Sequence, residues 1–455
     1  MKIQSLNPAT GKPIQSYTLL ENAELRQAIR ATHKAQSKWR KTKFAQRAEL
    51  MRAAARVLRE KADAFAKLMA EEMGKPVKQG RGEVEKCAWV CEFYADHAEA
   101  FLKPEPVEIE GTNSFVSFQP IGLVLAVMPW NFPLWQVFRF AAPALMAGNG
   151  GLLKHASNVP GCAVAIEQVF QEAGFPEHLF RTLLIDNKQV KTVIKHKLVS
   201  AVTLTGSAGA GIAIAQTAGK VLKKSVLELG GSDPYLILED ADLDDAVEKC
   251  VTSRLINSGQ SCIAAKRFIV MECVKAEFER RFVERMKKAR MGDPMSDETD
   301  VGPQARHDLR DELHQQVADS VSQGASCLLG GKVPEGPGAY YPPTVLTNVS
   351  KGMPAYREEL FGPVAAIISA KTEREAIKVA NSTVFGLGAA VFTRDLAKGE
   401  RIATRELEAG CCFVNDFVKS DPRLPFGGIK ESGYGRELSH YGMKEFVNIK
   451  TVSVR

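Results

Sequence analysis

Apolar strands that alternate with helix-like segments restrict the folds open to this chain more than any other feature of its sequence. Residues 121–128 form a continuous apolar run, residues 151–154 form a shorter one, and residues 202–204 lead through a glycine-rich segment into a predicted helix from Ile212. Strands buried on both faces read as unbroken apolar runs, so this alternation predicts a doubly wound parallel sheet. Such sheets bind ligands at the carboxyl ends of their strands.

Further regular elements are predicted on both sides of this region. Periodicity near the start predicts two long helices, the second with an apolar face from Met51 to Leu68. A hairpin is predicted at residues 104–118 and a strand at 446–454, and a second α/β region follows Cys262. A chain of 455 residues is too long for one core, so two or three domains are expected.

The composition is that of an ordinary globular protein, with 45% hydrophobic and 25% charged residues. The net charge of +7 comes without a basic run, so nucleic-acid binding is not predicted. No apolar stretch has the length of a membrane span, and the first residues lack the apolar region of a signal peptide. The nine cysteines match no zinc-ligand spacing, which favours a reducing, cytoplasmic location and no metal site.

Cys262 lies on an irregular segment directly after a predicted helix. Apolar residues recur at helical spacing from Leu243 to Leu255, and Ser258 and Gly259 then interrupt the pattern. Small polar neighbours on such a segment would let a substrate reach the thiol, which predicts a nucleophile. A small buried core thiol is the alternative, because free cysteine is usually buried.

Three further motifs follow predicted strands. Two prolines and two aromatic residues surround Asn131 and would hold its amide rigidly, as a donor to an oxyanion requires. Glu228 ends a strand beside two glycines and could act as a base for water. Residues 206–211 connect a strand to a helix, where small residues let a helix N-terminus approach a phosphate. The alternatives are a structural turn for the first and third motifs and a surface carboxylate for the second.

These motifs occur in one order along the chain with two others. The five segments are residues 129–133, 228–231, 259–262, 359–363 and 425–433. Together they resemble the aldehyde dehydrogenase superfamily over nearly the whole chain. Ser157 and Arg139, described below, make the chain most similar within it to the NADP-preferring bacterial succinate-semialdehyde dehydrogenases.

The resemblance implies an α/β architecture of three parts. A Rossmann-like, doubly wound cofactor domain would comprise residues 1–102 and 120–232, and a second α/β catalytic domain residues 233–438. A small β-hairpin oligomerisation arm would comprise residues 103–119 and 439–455, so that a homodimer or homotetramer is expected. A hairpin packed on its own subunit is the alternative.

The resemblance also assigns chemical roles. Cys262 would attack the aldehyde to give a thiohemiacetal, and loss of hydride to the nicotinamide would leave a thioester. Asn131 and the backbone N–H of Cys262 would stabilise the oxyanion, and Glu228 would activate the hydrolytic water. The ready attack of a thiolate agrees with this assignment. The alternative is a structural relative that has lost catalytic activity. The joint presence of Cys262, Glu228 and Asn131 disfavours this alternative.

Cofactor contacts are implied for a set of residues near the predicted strand ends and in the fourth motif: Trp130, Lys154, Ser157, Gly206, Ser207, Glu359 and Phe361. Many NAD-using relatives have glutamate where Ser157 stands, and that glutamate binds the ribose hydroxyls and repels a 2′-phosphate. Ser157 removes the negative charge close to Lys154. NADP is therefore the predicted cofactor, with NAD possible but less preferred.

Trp135, Arg139 and Ser420 are the predicted contacts to a small aldehyde substrate. Trp135 and Arg139 lie four residues apart and so on one helical face. Succinate-semialdehyde dehydrogenases have an arginine at the Arg139 position that binds the distal carboxylate, while a further arginine of some relatives is replaced by Ile256. The alternatives are a structural Arg139 and a dehydrogenase for other aliphatic or aromatic aldehydes.

Overall fold

Four β-sheets organise the protein, whose computed structural model describes residues 1–455. The strands, in chain order, are β1 (Lys2–Leu6), β2 (Pro13–Thr18), β3 (Glu105–Ile109), β4 (Thr112–Pro120), β5 (Leu123–Met128), β6 (Gly150–His155), β7 (Phe180–Thr182), β8 (Val199–Thr205), β9 (Lys224–Glu228), β10 (Pro234–Ile237), β11 (Arg267–Met271), β12 (Ser326–Leu329), β13 (Thr344–Thr347), β14 (Val364–Ala370), β15 (Gly388–Phe392), β16 (Cys411–Val414), β17 (Gly433–Tyr434) and β18 (Val447–Val454).

Helices cover the sheets, and none of them combines the length and apolar content that a membrane span requires. The α-helices, in chain order, are α1 (Asn22–Trp39), α2 (Phe44–Glu60), α3 (Ala62–Met73), α4 (Val77–Phe101), α5 (Trp135–Met146), α6 (Pro160–Glu172), α7 (Asn187–Lys195), α8 (Ala208–Gly219), α9 (Leu243–Leu255), α10 (Glu272–Lys287), α11 (His307–Ser322), α12 (Pro354–Arg357), α13 (Glu373–Asn381), α14 (Leu396–Arg405) and α15 (Ser439–Lys444).

The first large sheet has the strand order β17-β9-β8-β5-β6-β7. Strands β5 to β9 are parallel, and only β17 is antiparallel. Apolar clusters cover both faces, one built with α2 to α6 and the other with α1, α7 and α8. The chain runs outward from β5 to β7 and then returns to β8 on the other side. This reversal opens a crevice at the carboxyl edge, where open α/β sheets bind ligands.

The strand register brings the predicted motifs to that edge. Met128 at the end of β5 pairs with His155 of β6, and Thr205 at the end of β8 pairs with Glu228 of β9. The segments that follow these residues therefore all leave the sheet on the same side.

The second large sheet has the order β12-β13-β14-β11-β10-β15-β16 and is parallel except for its edge strand β12. Helices α9 and α10 cover one face, and α11 to α14 cover the other. Cys262 lies in the connection between α9 and β11. The two large parallel sheets with helices on both faces confirm the predicted fold class.

The predicted hairpin and C-terminal strand form a separate antiparallel sheet, β18-β4-β3. Strand β18 pairs with β4 over its full length, from Val447 opposite Pro120 to Val454 opposite Asn113. Its role in oligomerisation stays a prediction, as do the domain boundaries.

Two predicted helices differ from the observed ones. The apolar face from Met51 to Leu68 belongs to two helices, because the backbone leaves the helical conformation at Lys61. Helix α8 begins at Ala208, before Ile212. Ser207 caps its N-terminus, because its Oγ accepts a hydrogen bond from the backbone N–H of Ala210. The small residues 208–211, which were predicted to precede the helix, therefore form its first turn.

Candidate active site

The segment of residues 256–264 that follows α9, called here the Cys262 loop, has an unusual backbone conformation at its start. Asn257 and Ser258 have φ angles of 54° and 56°, and Gly259 follows with φ 77°. Only glycine fits at the third position, because a Cβ atom there would lie 2.2 Å from the carbonyl of Gly362. The loop therefore turns sharply and presents Cys262 on an irregular segment, as the sequence predicts.

Hydrogen bonds attach Asn131 to this loop. Asn131 Nδ2 donates to the carbonyl oxygen of Gln260 at 3.1 Å. Asn257 Nδ2 donates to the carbonyl oxygens of Asn131 at 2.6 Å and of Gln260 at 3.0 Å. The structure thus fixes the predicted amide donor beside the segment that carries Cys262.

Lys266 supports the same loop and was not among the predicted site residues. This lysine is fully buried, and its ammonium donates to the carbonyl oxygens of Ser261 at 3.0 Å, Cys262 at 2.7 Å and Ala264 at 3.3 Å. It also forms a 3.4 Å ion pair with Glu359. A charge directly before the apolar strand β11 is its only signal in the sequence.

Cys262 lines a cavity of about 700 Å³, a volume typical of small-molecule sites. Trp135, Arg139 and Ser420, the three predicted substrate contacts, line the same cavity, together with the ring of Phe132. The structure therefore brings together the predicted nucleophile from the second sheet region and the predicted substrate contacts of α5 from the first.

The surroundings of Cys262 favour its neutral thiol. Burial raises the pKa of this thiol to about 12, although the positive charges of Arg139 and Lys266 oppose the increase. The thiolate is the reactive form of cysteine. A reaction through the Cys262 thiolate would therefore need a base that accepts the thiol proton.

Glu228 lies beside a buried ion pair. It is 2% exposed, and neither of its carboxylate oxygens has a hydrogen-bond partner. Burial raises the pKa of Glu228 well above the usual carboxyl value, Glu437 raises it further, and Arg139 acts in the opposite direction. Arg139 pairs with Glu437 and lies 4.7 Å from the centre of the Phe426 ring. A carboxyl group with a raised pKa suits a general base near neutral pH.

Asn131 and Glu228 do not line the 700 Å³ cavity themselves. Asn131 contacts the Cys262 loop, and Glu228 lies close to Arg139 in the cavity wall. A Cβ atom at Gly427 would lie 2.7 Å from Glu228 Oε1, so this glycine provides room for the carboxylate. No hydrogen bond holds that carboxylate in its present position.

The predicted cofactor residues lie outside this cavity. The rings of Trp130 and Phe361 meet edge to face, with their centres 5.7 Å apart. Glu359 accepts a hydrogen bond from the backbone N–H of Gly231 at 3.0 Å, which brings it to the end of β9. These contacts join both sheet regions at the carboxyl edge of the first sheet.

Lys154 and Ser157 lie farther along that edge. Lys154 belongs to β6, is 9% exposed, and its ammonium has no hydrogen-bond or ion-pair partner in the chain. Ser157 is exposed in the turn that follows β6. Gly206 and Ser207 lie at the start of α8, where unpaired backbone N–H groups favour anions. An unpartnered lysine and a helix N-terminus together fit a phosphorylated dinucleotide.

Fold and site together define a class, the α/β proteins in which a cysteine on a cavity wall, an asparagine amide and a buried carboxyl group lie near the carboxyl edge of a parallel sheet. The model of the aldehyde dehydrogenase family matches residues 1–452. The chain belongs to the aldehyde dehydrogenase family, which confirms the resemblance seen in the sequence.

Relatives from bacteria match over almost their whole length. A probable NADP(+) succinate-semialdehyde dehydrogenase of Synechocystis sp. is 50% identical over 452 residues, 99% of each chain. An NAD(P)+ succinate semialdehyde dehydrogenase, Sad, of Escherichia coli K12 is 49% identical, covering 98% of this chain and 97% of the relative. The crystal structure of the succinic semialdehyde dehydrogenase of Streptococcus pyogenes with NADP+ has a TM-score of 0.97, 38% identity and 99% coverage of both chains.

Proposed function

We propose that this protein oxidises succinate semialdehyde to succinate with NADP. The observation that carries the proposal is the single cavity that Cys262, Trp135, Arg139 and Ser420 all line. A substrate with an aldehyde at one end and a carboxylate at the other needs a nucleophile and hydrogen-bond donors in one cavity. The names of relatives at 48 to 50% identity support the same substrate and cofactor.

The first step is the attack of Cys262 Sγ on the aldehyde carbon, which forms the C–S bond. Glu228 is the buried carboxyl group available to take the thiol proton. The aldehyde oxygen becomes an oxyanion and receives hydrogen bonds from Asn131 Nδ2 and from the backbone N–H of Cys262. A donor aimed at developing negative charge contributes about 10²–10³ in rate.

The second stage returns the enzyme to its free thiol. NADP, when bound, supplies the acceptor for the hydride of the tetrahedral carbon, and oxidation leaves a thioester on Cys262. Glu228 first releases the thiol proton to solvent and then takes a proton from a water molecule, whose oxygen attacks the thioester carbon. The C–S bond breaks, the acid is released, and the departing sulfur of Cys262 takes the proton back from Glu228.

Lys154 and Ser157 would hold the 2′-phosphate of NADP. The ammonium of Lys154 lacks any partner in the protein, and the exposed hydroxyl of Ser157 follows three residues later. An ammonium and a hydroxyl can both donate to a phosphate, and a phosphate is absent from NAD. Trp130, Phe361 and Glu359 would contact the nicotinamide end, and the N-terminus of α8, with Gly206 and Ser207, the pyrophosphate.

Ser157→Glu is expected to lower the ratio of kcat/KM for NADP to that for NAD by about 10- to 100-fold, because a carboxylate repels the phosphate and accepts from ribose hydroxyls. Both cofactors would be compared at a fixed aldehyde concentration. Ser322→Glu, on an exposed residue at the end of α11, is the charge-matched control. A wild-type ratio below one would show that cofactor choice is made elsewhere.

The proposed function is tested by following NADPH absorbance after the wild-type protein is mixed with NADP and succinate semialdehyde. Succinate should accumulate in the same amount as NADPH. The proposal fails if the protein turns over butanal or an aromatic aldehyde efficiently but not succinate semialdehyde.

A dehydrogenase for uncharged aldehydes is the second candidate function, and the pairing of Arg139 favours it. Because the Arg139 guanidinium is already paired with Glu437, this arginine offers less attraction to a distal carboxylate than the sequence predicts. Its role in substrate binding therefore remains a prediction.

Arg139→Ala is expected to lower the free energy of unfolding by about 3–5 kcal/mol, because Glu437 stays buried without its cation. Urea unfolding at neutral pH measures this loss, and Arg139→Ala with Glu437→Gln should recover part of it. The role of Arg139 in substrate binding is tested with Glu437→Gln as the reference. The double variant is compared with this single variant by kcat/KM for succinate semialdehyde and for butanal. Equal losses for the two aldehydes would make Arg139 structural.

Oligomer formation through the sheet β18-β4-β3 and a cytoplasmic location are also part of the proposal. Val107, Ile109 and Ile449 of this sheet expose apolar side chains, which supports a subunit contact there. All nine cysteines are free thiols, which supports a reducing compartment. Sedimentation of the purified protein tests the oligomeric state.

A further inference from the structure

We propose that Lys86 binds the distal carboxylate of the substrate and so determines specificity for an anionic aldehyde. Lys86 lies on α4, lines the 700 Å³ cavity with Cys262, and had no role among the predicted site residues. The inference rests on the proposed function, because it names the residue that would bind the negatively charged carboxylate of succinate semialdehyde.

Lys86 is the one cation in the cavity wall that has no carboxylate partner. Five lysine and arginine side chains line the cavity. Four of them are paired with acids elsewhere in the fold: Lys75 with Glu83, Arg139 with Glu437, Arg285 with Glu248 and Lys419 with Asp416. No Asp or Glu oxygen lies within 4.0 Å of the Lys86 ammonium. An arriving anion therefore meets one uncompensated positive charge.

The surroundings of Lys86 form a site for an anion. Its Nζ lies 4.3 Å from the centre of the Trp135 ring, which restricts the side chain. The same atom donates to Ser420 Oγ at 2.7 Å. A hydroxyl that accepts from an ammonium keeps its own proton to donate, and the ammonium keeps two further protons. Lys86 and Ser420 together can therefore donate to both oxygens of one carboxylate.

Glu83 fixes this arrangement in advance. It lies one helical turn before Lys86 on α4, and its Oε1 accepts from the backbone N–H groups of Leu134 and Trp135, both at 2.9 Å. These are the N–H groups at the start of α5, so one carboxylate anchors α5 to α4. Because the two helices are locked together, Lys86 faces Trp135 before any substrate arrives, which reduces the entropic cost of binding.

The charges around Lys86 agree with a site for an anion. Burial and the positive charge of Arg139 lower the pKa of Lys86 to about 8, against the opposing effect of Cys87, Glu83 and Asp421. A bound carboxylate would relieve the repulsion between Lys86 and Arg139. Lys86 loses its proton as the pH rises through its pKa, so the KM for an anionic aldehyde should increase above about pH 8.

The test compares Lys86→Met with wild type on succinate semialdehyde and on butanal, which has the same chain length without the carboxylate. We expect kcat/KM for succinate semialdehyde to fall by about 30-fold or more, mainly through KM, and that for butanal to change far less. Lys86→Arg should retain much of the preference because it retains the charge. Arg285→Met, which removes a cavity cation that is already paired, should leave the preference unchanged.

The pH dependence gives a second readout. The increase of KM for succinate semialdehyde above about pH 8 should vanish in Lys86→Met. Equal losses of kcat/KM for the two aldehydes in Lys86→Met, or a pH profile unchanged from wild type, would overturn the inference. The proposed function would still stand in that case, provided that the wild-type protein oxidises succinate semialdehyde. A wild-type protein that does not oxidise succinate semialdehyde would instead refute the proposed function itself.

Discussion

Cys262→Ala is expected to lower aldehyde oxidation by about 10⁴-fold or more while NADP binding stays nearly intact, because the proposed mechanism forms its covalent intermediate on this thiol. No other thiol lines the cavity. Cys250 is fully buried on α9, and Cys411 and Cys412 belong to β16 of the second sheet. NADPH formation measures the first quantity, and quenching of tryptophan fluorescence by NADP measures the second.

Cys250→Ala is the matched control for this experiment, since it removes a buried thiol from the helix that leads into the loop. It should keep most of the activity. Turnover in Cys262→Ala comparable to wild type would refute the assignment of the nucleophile.

Glu228→Gln is expected to slow thioester hydrolysis by about 10²–10⁴-fold, because the amide cannot accept a proton from water. A rapid burst of NADPH, stoichiometric with the enzyme, should then precede slow turnover. The burst appears only if Cys262 can still lose its proton in the Glu228→Gln variant. The amplitude of the burst therefore also shows whether Glu228 is needed for the attack of Cys262 on the aldehyde. Rapid-mixing absorbance measures both phases.

The pH profile distinguishes Glu228 from a merely structural carboxyl group. Burial and the neighbouring Glu437 raise its pKa well above the usual value. A larger fraction of the carboxylate is ionised as the pH rises, so wild-type hydrolysis should increase with pH in a range where ordinary carboxyl groups are already ionised. Glu228→Gln should lose this increase, and Glu431→Gln, on an exposed residue, should keep it. A profile shared by Glu228→Gln and wild type would exclude this role.

Local sequence was sufficient for the strands β5, β6 and β8 of the first sheet and for the end of the helix before Cys262. Residues 123–128 are almost entirely buried, so their apolar run alone indicated a central strand. Ser258 and Gly259 interrupt the helical pattern just where the backbone turns left-handed. Apolar periodicity failed at Lys61, because the apolar pattern continues across the break between α2 and α3 and carries no information about backbone angles.

The sequence by itself determined the fold class, the irregular segment that carries Cys262 and, through five ordered motifs, the family. Only the tertiary structure decided which charges remain unpaired. Arg139 pairs with Glu437 near the other end of the chain, whereas Lys86 meets Ser420, 334 residues away, and no acid. The physical reason is that the charge available to a ligand depends on the neighbours of a buried group, and those neighbours are brought together only when the chain folds.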